Sequence, residues 1–583
     1  MSDAMKTTTA FIVFVLFAMA AMALEPSLVL RSRLEAQSVQ YSPDGRFLIL
    51  ESDQGFEVWS TSTNELLLEG NYRFKLGRVI QAARISEGSG FILIPEEDVF
   101  IAVDYALTST NTRAFDLTDG ELLWESENLS LGMGVAETLG TIMSMGAIGA
   151  GGRAMTSVAG APAGYGLMGV TGMTAGAFSN DPAIDQAIHY IPELRAMTFN
   201  SDDGLQLADV RTGELIWKQG EVSGAMGEVF YDPENNLVIA ISVLRSEIRQ
   251  LTSRPEILAI DAQSGDLLWR AEYISNFRPG HSFVIGQTLV IDFFGIALYD
   301  LKTGERLEGE VAESYARAES NLRIMSRMTA GDGQGFETIT SVPQIDQNQH
   351  ILYITGLRRG NSEPQAGHKA LQKIDPASGN FVYVVEEIAG RGDTPIQTEL
   401  TDDLLYVKMA RRANTHLMGI NPETGEVVFE TEPVRNRLTT EYDYFSLMDD
   451  AIMDASSTAL LLYDRSTGEL LQEVSFRDIG VGRLRNYAAH PNGFAVFGTD
   501  GVALVSASGE VLRELELGNI QNFFASEEEI WLLDNRKYVR LDAQSLETIS
   551  ELDYRRREII EFSPTGNSFV HFRGGGLAVY NLR

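Results

Sequence analysis

The stretch AFDLTDGELLW at residues 114–124 decides the fold, because close copies of it occur at 207–217 (LADVRTGELIW) and 259–269 (AIDAQSGDLLW). An Asp side chain can accept hydrogen bonds from backbone N–H groups inside a tight turn, and Gly supplies the left-handed residue. Apolar and polar residues alternate on both sides, as in half-buried strands. The phrase therefore predicts a strand, a turn and a second strand. Its structural positions are Asp116, Gly120, Trp124, Asp209, Gly213, Trp217, Asp261, Gly265 and Trp269.

Weaker copies begin at Asp300, Asp375, Asn421 and Asp464, and degenerate ones begin near Ser506 and Asp542. Two of them keep both the glycine and an aromatic residue, as Gly379 with Tyr383 and Gly425 with Phe429. From position 375 onward the copies are 36 to 46 residues apart, which is the length of one four-stranded propeller blade. The repeats thus predict an all-β propeller over residues 24–583.

The number of blades stays open at this point. Eleven candidate turns exceed the four to eight blades of a usual ring. The alternatives are about eight blades in one ring, or two rings if all eleven repeats are blades. The chain ends just after a segment that resembles a third strand, so we expect residues 28–34 to supply the missing strand and close the propeller.

The pattern A-x-D-x-x-T-G-x-x-x-W resembles the blade signature of the PQQ-like, or quinoprotein-type, propellers. The resemblance covers about residues 40–583 as a repeat and implies that Trp124, Trp217 and Trp269 pack between neighbouring blades. The family includes quinoprotein dehydrogenases and exported propellers of outer-membrane assembly. Many of the dehydrogenases use an adjacent cysteine pair, and this sequence has no cysteine. The resemblance is therefore greater to the assembly propellers, which implies a binding scaffold.

The first 23 residues indicate export. A lysine at position 6 precedes an apolar run that closes on Ala21-Met22-Ala23, the small-x-small form of a signal-peptide cleavage site. The run is short for a transmembrane helix, so a cleaved signal is favoured over a retained anchor. Residues 24–583 carry the whole net charge of −35, which disfavours binding of nucleic acid and favours cationic partners.

Two insertions interrupt the repeat. Residues 131–180 are rich in Gly, Ala and Met, with no charge from 154 to 180. They form either a flexible low-complexity loop or an adhesive arm with peripheral membrane contact. Residues 309–345 are expected to be partly helical, since Val311, Tyr315, Leu322 and Met325 have roughly helical spacing. This second insertion is either a helix that caps one face of the propeller or a partner-binding lid.

No motif assigns catalytic residues or metal ligands. The seven histidines show neither HxH nor HExxH spacing. We therefore expect no cofactor and predict a non-enzymatic scaffold that binds another envelope protein in the periplasm or at the outer membrane. The alternatives are a quinoprotein dehydrogenase that uses PQQ with calcium, for which no cofactor-binding residue can be assigned, and a ligand- or carbohydrate-binding sensor.

Overall fold

The computed structural model describes residues 28–581 apart from a set of internal segments. These are 74–86, 107–108, 127–177, 180–183, 185–187, 202–203, 222–224, 244–255, 273–280, 293–294, 317–335, 340, 359–368, 390–392, 412–413, 436–444, 491–492, 519, 526–527, 535–536, 554–557, 564–567 and 574–575. The predicted signal peptide (1–23) and nearly all of the 131–180 insertion lie outside the described residues.

The described residues form eleven antiparallel sheets, here called blades and numbered along the chain. After strand β1 (Leu28–Arg31), the first half of the chain forms blade 1 from β2 (Ser38–Tyr41), β3 (Phe47–Ser52), β4 (Gly55–Ser60) and β5 (Leu66–Asn71); blade 2 from β6 (Glu87–Ile94), β7 (Val99–Ala106), β8 (Ser109–Asp116), β9 (Leu122–Ser126) and β10 (Phe178–Ser179); blade 3 from β11 (Ile188–Ile191), β12 (Ala196–Ser201), β13 (Gly204–Asp209) and β14 (Leu215–Gln219); blade 4 from β15 (Ala225–Asp232), β16 (Leu237–Val243), β17 (Glu256–Asp261) and β18 (Leu267–Glu272); and blade 5 from β19 (His281–Ile285), β20 (Thr288–Asp292) and β21 (Ile296–Asp300). Short 3-10 helices occur at Pro95–Glu97 and Pro192–Leu194.

The second half of the chain continues the same order. It forms blade 6 from β22 (Phe336–Ile339), β23 (Gln344–Ile345), β24 (Ile351–Arg358), β25 (Lys369–Asp375) and β26 (Asn380–Ala389); blade 7 from β27 (Thr394–Leu400), β28 (Leu405–Arg411), β29 (Asn414–Ile420), β30 (Val427–Glu430) and β31 (Val434–Arg435); blade 8 from β32 (Phe445–Leu447), β33 (Ala451–Ala455), β34 (Ala459–Asp464) and β35 (Leu470–Ser475); blade 9 from β36 (Leu484–His490), β37 (Gly493–Gly498), β38 (Gly501–Ser506) and β39 (Val511–Glu516); blade 10 from β40 (Ile520–Ala525), β41 (Glu529–Asp534), β42 (Lys537–Asp542) and β43 (Thr548–Asp553); and blade 11 from β44 (Ile559–Phe562), β45 (Ser568–Arg573) and β46 (Gly576–Asn581).

Buried apolar clusters join the blades into one closed ring. Each cluster combines residues of two consecutive blades, from blades 1 and 2 through blades 10 and 11. A further cluster joins Val39 and Leu50 of blade 1 to Val570 and Leu577 of blade 11. The propeller class is confirmed. Both predicted blade arrangements, about eight blades in one ring or two rings, are wrong, because the described residues form eleven sheets in a single ring. The first strands of neighbouring blades contact each other, as β2 does β44, so they lie innermost.

The N-terminal strand completes the last blade, as the sequence predicted. β1 pairs antiparallel with β46, with Leu28 opposite Val579 and Arg31 opposite Gly576. The outer position of blade 11 is thereby filled by the start of the chain, and β46 has a partner on both sides. Paired edges of this kind protect a sheet from further strand addition.

Consecutive strands of a blade run in opposite directions, so the connections between them lie alternately on the two faces of the ring. The connections from first to second strand and from third to fourth strand lie on one face, which we call the turn face. The other connections lie on the opposite face, which we call the loop face. Backbone hydrogen bonds join the two kinds of connection on the turn face, for example Leu117 N to Asp98 O (2.7 Å) and Ala262 N to Asn236 O (3.0 Å). β9 ends at Ser126 on the loop face, and the 131–180 insertion follows it in the sequence.

Blade 5 has three described strands, and a helical segment follows the turn after the third. Residues 310–316 are helical, with Val311 buried between blades 5 and 6 and Tyr315 buried between blades 4 and 5. Val311 N donates to Gly379 O of blade 6 (3.1 Å). The described helix thus packs against the junctions between blades. The sequence had predicted a helix that caps one face or a partner-binding lid, and residues 310–316 differ from the first of these predictions. Leu322 and Met325 lie outside the described residues.

Candidate interaction surfaces

The repeated turns are held by their first residue. Asp261 Oδ1 accepts from the backbone N–H groups of Gln263 (3.0 Å) and Ser264 (2.7 Å), and Gly265 N donates to Asp261 O (2.9 Å). The φ angle of Gly265 is 77°, in the left-handed region. Asp209 makes the same two side-chain bonds to the backbone and Asp116 makes the first of them, from Thr118 N, and Gly120 and Gly213 also have positive φ. In blade 7 the amide oxygen of Asn421 replaces the carboxylate.

The three predicted tryptophans lie between blades. Trp124, Trp217 and Trp269 are buried. Each indole N–H donates to a backbone carbonyl in the turn of the next blade: Val210 O at 2.8 Å, Ala262 O at 2.9 Å and Leu301 O at 2.8 Å. Each ring therefore adds a directional bond to the apolar contact between its own blade and the following one.

Each of these rings rests on the turn glycine of the next blade. A methyl group on Gly213 would lie 2.7 Å from Trp124 Cγ, and one on Gly265 would lie 2.5 Å from Trp217 Cβ. Gly425 lies against Tyr383 in the same way, and Phe429 covers Gly468. The glycine is needed both for its positive φ and for the space that the ring occupies. Gly379 differs, because its nearest neighbour is the backbone oxygen of Glu308.

The turn aspartates predict a loss of stability in acid. Hydrogen bonds from the side chains of Ser466 and Thr467 and from their backbone lower the pKa of Asp464 to about 2. The pKa values of Asp261, Asp300 and Asp542 are also lowered, chiefly by the backbone N–H three residues further on. A folded-state pKa below the unfolded value of about 3.9 stabilises the protein above that pH. This contribution decreases as the pH falls from about 4 toward 2.

Asp464→Asn tests this pH dependence, and Asn421 shows that an amide fits the turn. We expect the variant to be less stable than the parent at pH 7, with the difference shrinking as the pH falls toward 2. The measurement is urea unfolding at pH 7, 4 and 3. A difference that stays constant over this range would contradict the assigned role of the carboxylate.

The turn face is strongly acidic. The residue after the turn glycine is acidic in most blades, and the connections from first to second strand add further carboxylates; together they include Glu121, Glu214, Asp266, Glu305, Glu426, Glu469, Glu510, Glu193, Glu234, Asp402, Asp403, Asp449 and Asp450. Several basic residues of this face are already paired: Arg195 with Glu97, Arg211 with Asp116 and Arg46 with Asp98. Such a face favours cationic partners.

Exposed aliphatic side chains border the turn face. They lie at the start of the outer strands, directly after the acidic turn residue: Leu66, Leu122, Leu215, Ile216, Leu268, Val427, Val428, Leu470 and Leu471. In β14 the exposed Leu215 and Ile216 immediately precede the buried Trp217. Apolar groups at the surface beside charged ones are typical of protein contact sites. The resulting acidic and apolar border could not be recognised before the outer strands were known.

The innermost strands carry two glutamates whose pKa values are raised, whereas the pKa values of the turn aspartates are lowered. Burial raises the pKa of Glu561 on β44 to about 7, and burial also raises the pKa of Glu399 on β27. These residues belong to blades 11 and 7, so they do not form a pair.

Within the described part of the chain, no group of three or more His, Asp or Glu side chains is arranged to hold a metal ion. None of the helices in that part has the length and apolarity that a membrane crossing requires.

The repeats of this chain match the model of a known protein family. The family model for the outer membrane protein assembly factor BamB matches residues 109–430, which is more than half of the sequence. The chain belongs to the BamB family. The match covers the blades that contain Trp124, Trp217, Trp269, Tyr383 and Phe429, and thus confirms the PQQ-like resemblance inferred from those repeats. No curated protein matches this BamB-family chain in sequence.

Solved structures resemble this BamB-family chain at low identity and low TM-score. BamB from Moraxella catarrhalis is 14% identical, with 68% of this chain and 97% of that chain covered and a TM-score of 0.29. Porphyromonas gingivalis dipeptidyl peptidase 4 is 10% identical, with 66% and 64% covered and a TM-score of 0.33. The Dos1 propeller is 10% identical, with 68% and 90% covered and a TM-score of 0.30.

Proposed function

We propose that this BamB-family chain is a non-enzymatic, exported scaffold that binds another protein of the cell envelope. Membership of the family supports an envelope role. The observation that carries the proposal is the ring's acidic turn face with its border of exposed aliphatic residues, such as Leu215 and Leu470. A rigid ring with one charged and partly apolar face suits a partner that presents basic and apolar side chains.

The other parts of the proposal concern location and membrane contact. The signal-like residues 1–23 support export to the periplasm or the outer membrane. Peripheral membrane contact through residues 131–180 remains a prediction. The loop face, on which β9 ends before this insertion, offers a second surface for partners.

Affinity capture with matched variants tests the scaffold role. The full chain with a C-terminal tag would be cross-linked in cells and purified from their membranes. We expect one stoichiometric partner whose recovery falls several-fold in the turn-face double variant Glu426→Gln/Glu469→Gln. The double variant Glu432→Gln/Glu514→Gln removes the same charge from exposed positions away from the turn face, and it should leave recovery unchanged.

Two outcomes would contradict the proposal. One is the absence of any stoichiometric partner in repeated captures. The other is dye-linked dehydrogenase activity of the purified protein after addition of PQQ and calcium, which would support the quinoprotein alternative.

A further inference from the structure

A cavity of about 320 Å³ opens between blades 5 and 6 at the turn face. Both blades contribute two connections to its wall. Gly286 and Gln287 come from the first connection of blade 5, and Asn348 and Gln349 come from that of blade 6. The carboxylates of Asp300 and Asp375, the first residues of the two repeated turns, complete the polar part of the wall. The volume is within the range of small-molecule sites.

The cavity lies at a junction where the repeat lacks its aromatic residue. In blades 2, 3, 4, 6 and 7 the residue eight positions after the turn Asp or Asn is aromatic and covers the turn glycine of the next blade. In blade 5 this position is Glu308, whose backbone oxygen lies near Gly379. The helical residues 310–316 close the outer side of the junction through Val311. None of the residues that line the cavity is aromatic, and this distinguishes the junction from the five that carry a ring.

The wall has the chemistry of a cation site with aliphatic sides. One oxygen of each carboxylate is used by its own turn: Asp300 Oδ1 accepts from Lys302 N (3.0 Å) and Thr303 N (2.8 Å), and Asp375 Oδ1 accepts from Ala377 N (3.0 Å). Hydrogen bonds from Thr303 and from Ser378 lower the pKa values of Asp300 and Asp375 respectively, so both are ionised at neutral pH.

The rest of the wall is partly apolar, and the residues that line the cavity include no lysine, arginine or histidine that would compete with a bound cation. Ile285, Leu307 and Pro376 provide the aliphatic sides. The only hydroxyl of the wall, Thr288 Oγ1, donates to Pro376 O (3.2 Å) and links the two blades. Lys302 and His350 lie close enough to affect one carboxylate each, but neither residue lines the cavity. Asp300 and Asp375 are therefore the charged residues of the wall, and both are acidic.

A bare metal ion fits this wall less well than an organic cation. Calcium takes six to eight oxygen ligands at about 2.3–2.6 Å, and each carboxylate here has already committed one oxygen to its turn. The space is also far larger than one ion requires. An ammonium or guanidinium group on an aliphatic body would use both the negative charge of the two carboxylates and the apolar sides.

We propose that the cavity between blades 5 and 6 binds an organic cation, a primary amine or guanidine carried on an aliphatic chain. The cation is either a free small amine or a lysine or arginine side chain of a protein. This site goes beyond the scaffold role and does not depend on it.

Calorimetric titration of the full mature chain tests the site. The probes are cadaverine, agmatine and N-acetyl-lysine methylamide, with N-acetyl-norleucine methylamide as the neutral isostere. We expect saturable binding of the cations and none of the isostere. Tighter binding of the diamine than of the capped lysine would assign the site to free amines, and the reverse order would assign it to a protein side chain.

The repeat supplies a matched control variant. Asp300→Asn and Asp375→Asn should each weaken binding about tenfold or more, since a charge-assisted bond is lost. Asp464→Asn makes the same change in a turn of blade 8, remote from the cavity, and should bind as the parent does. Ala377→Trp would fill the exposed side of the cavity and should abolish binding without removing charge.

Three results would overturn the assignment. They are the absence of saturable binding by any cationic probe, equal weakening in Asp464→Asn and Asp375→Asn, and displacement of the probes by calcium beyond the effect of matched ionic strength. The last result would assign a metal site instead.

Discussion

Trp217→Ala is expected to lower the free energy of unfolding by about 3–5 kcal/mol. The indole is 5% exposed and packs in the cluster that joins blades 3 and 4, with Leu205, Val238 and Leu258. Its removal leaves a cavity at this junction and deprives Ala262 O of a donor. A buried carbonyl without a partner adds to the cost of the lost packing.

Leu215→Ala is the matched control for this substitution. Leu215 lies two residues earlier on the same strand and is 51% exposed, so its truncation should change stability by less than about 0.5 kcal/mol. Urea unfolding followed by circular dichroism measures both variants without relying on the lost fluorophore. Equal effects of the two substitutions would mean that Trp217 does not stabilise the junction between the blades.

Deleting residues 24–31 is expected to lower the melting temperature sharply and to promote self-association. The deletion removes β1, which pairs with β46 over its whole length. Blade 11 then loses its outer strand, and the backbone groups of β46 that face β1 lose their partners. Exposed strand edges of this kind pair with other chains.

Thermal unfolding and light scattering after size exclusion measure the two effects of the deletion. Val29→Ala is the control, because Val29 is 61% exposed and its substitution leaves the backbone pairing intact. An unchanged melting temperature together with a monomeric deletion variant would show that β1 is dispensable for closure.

The sequence predicted the fold from the repeats that keep the Asp, the Gly and the aromatic residue. Asp261, Gly265 and Trp269 specify a turn and a packing position through local bonds, so the propeller class followed from a few clear copies. Closure by the N-terminal strand also followed, because a chain that ends after a third strand needs one more. The helix was predicted from the spacing of Val311 and Tyr315, both of which are buried.

Other features depend on neighbouring blades and were not predictable. Blade 8 has Gln472 at the aromatic position, and this side chain contacts Gly509 of the next blade. A blade can therefore form without the ring that marks it in sequence, which left the number of blades open. Blade 5 keeps a regular turn at Asp300 and then departs from the repeat at Glu308, and only the packed ring reveals the cavity that results.

Pairing of the first strand with the last imposes an order on folding. Ribosomes make β1 more than 540 residues before Gly576–Asn581, the segment with which it must pair. The start of the chain therefore has no partner until β46 has been made, and the ring can close only after that point. A chain truncated near its end would keep both a blade without its outer strand and an unused N-terminal strand, and would present them to quality-control proteases.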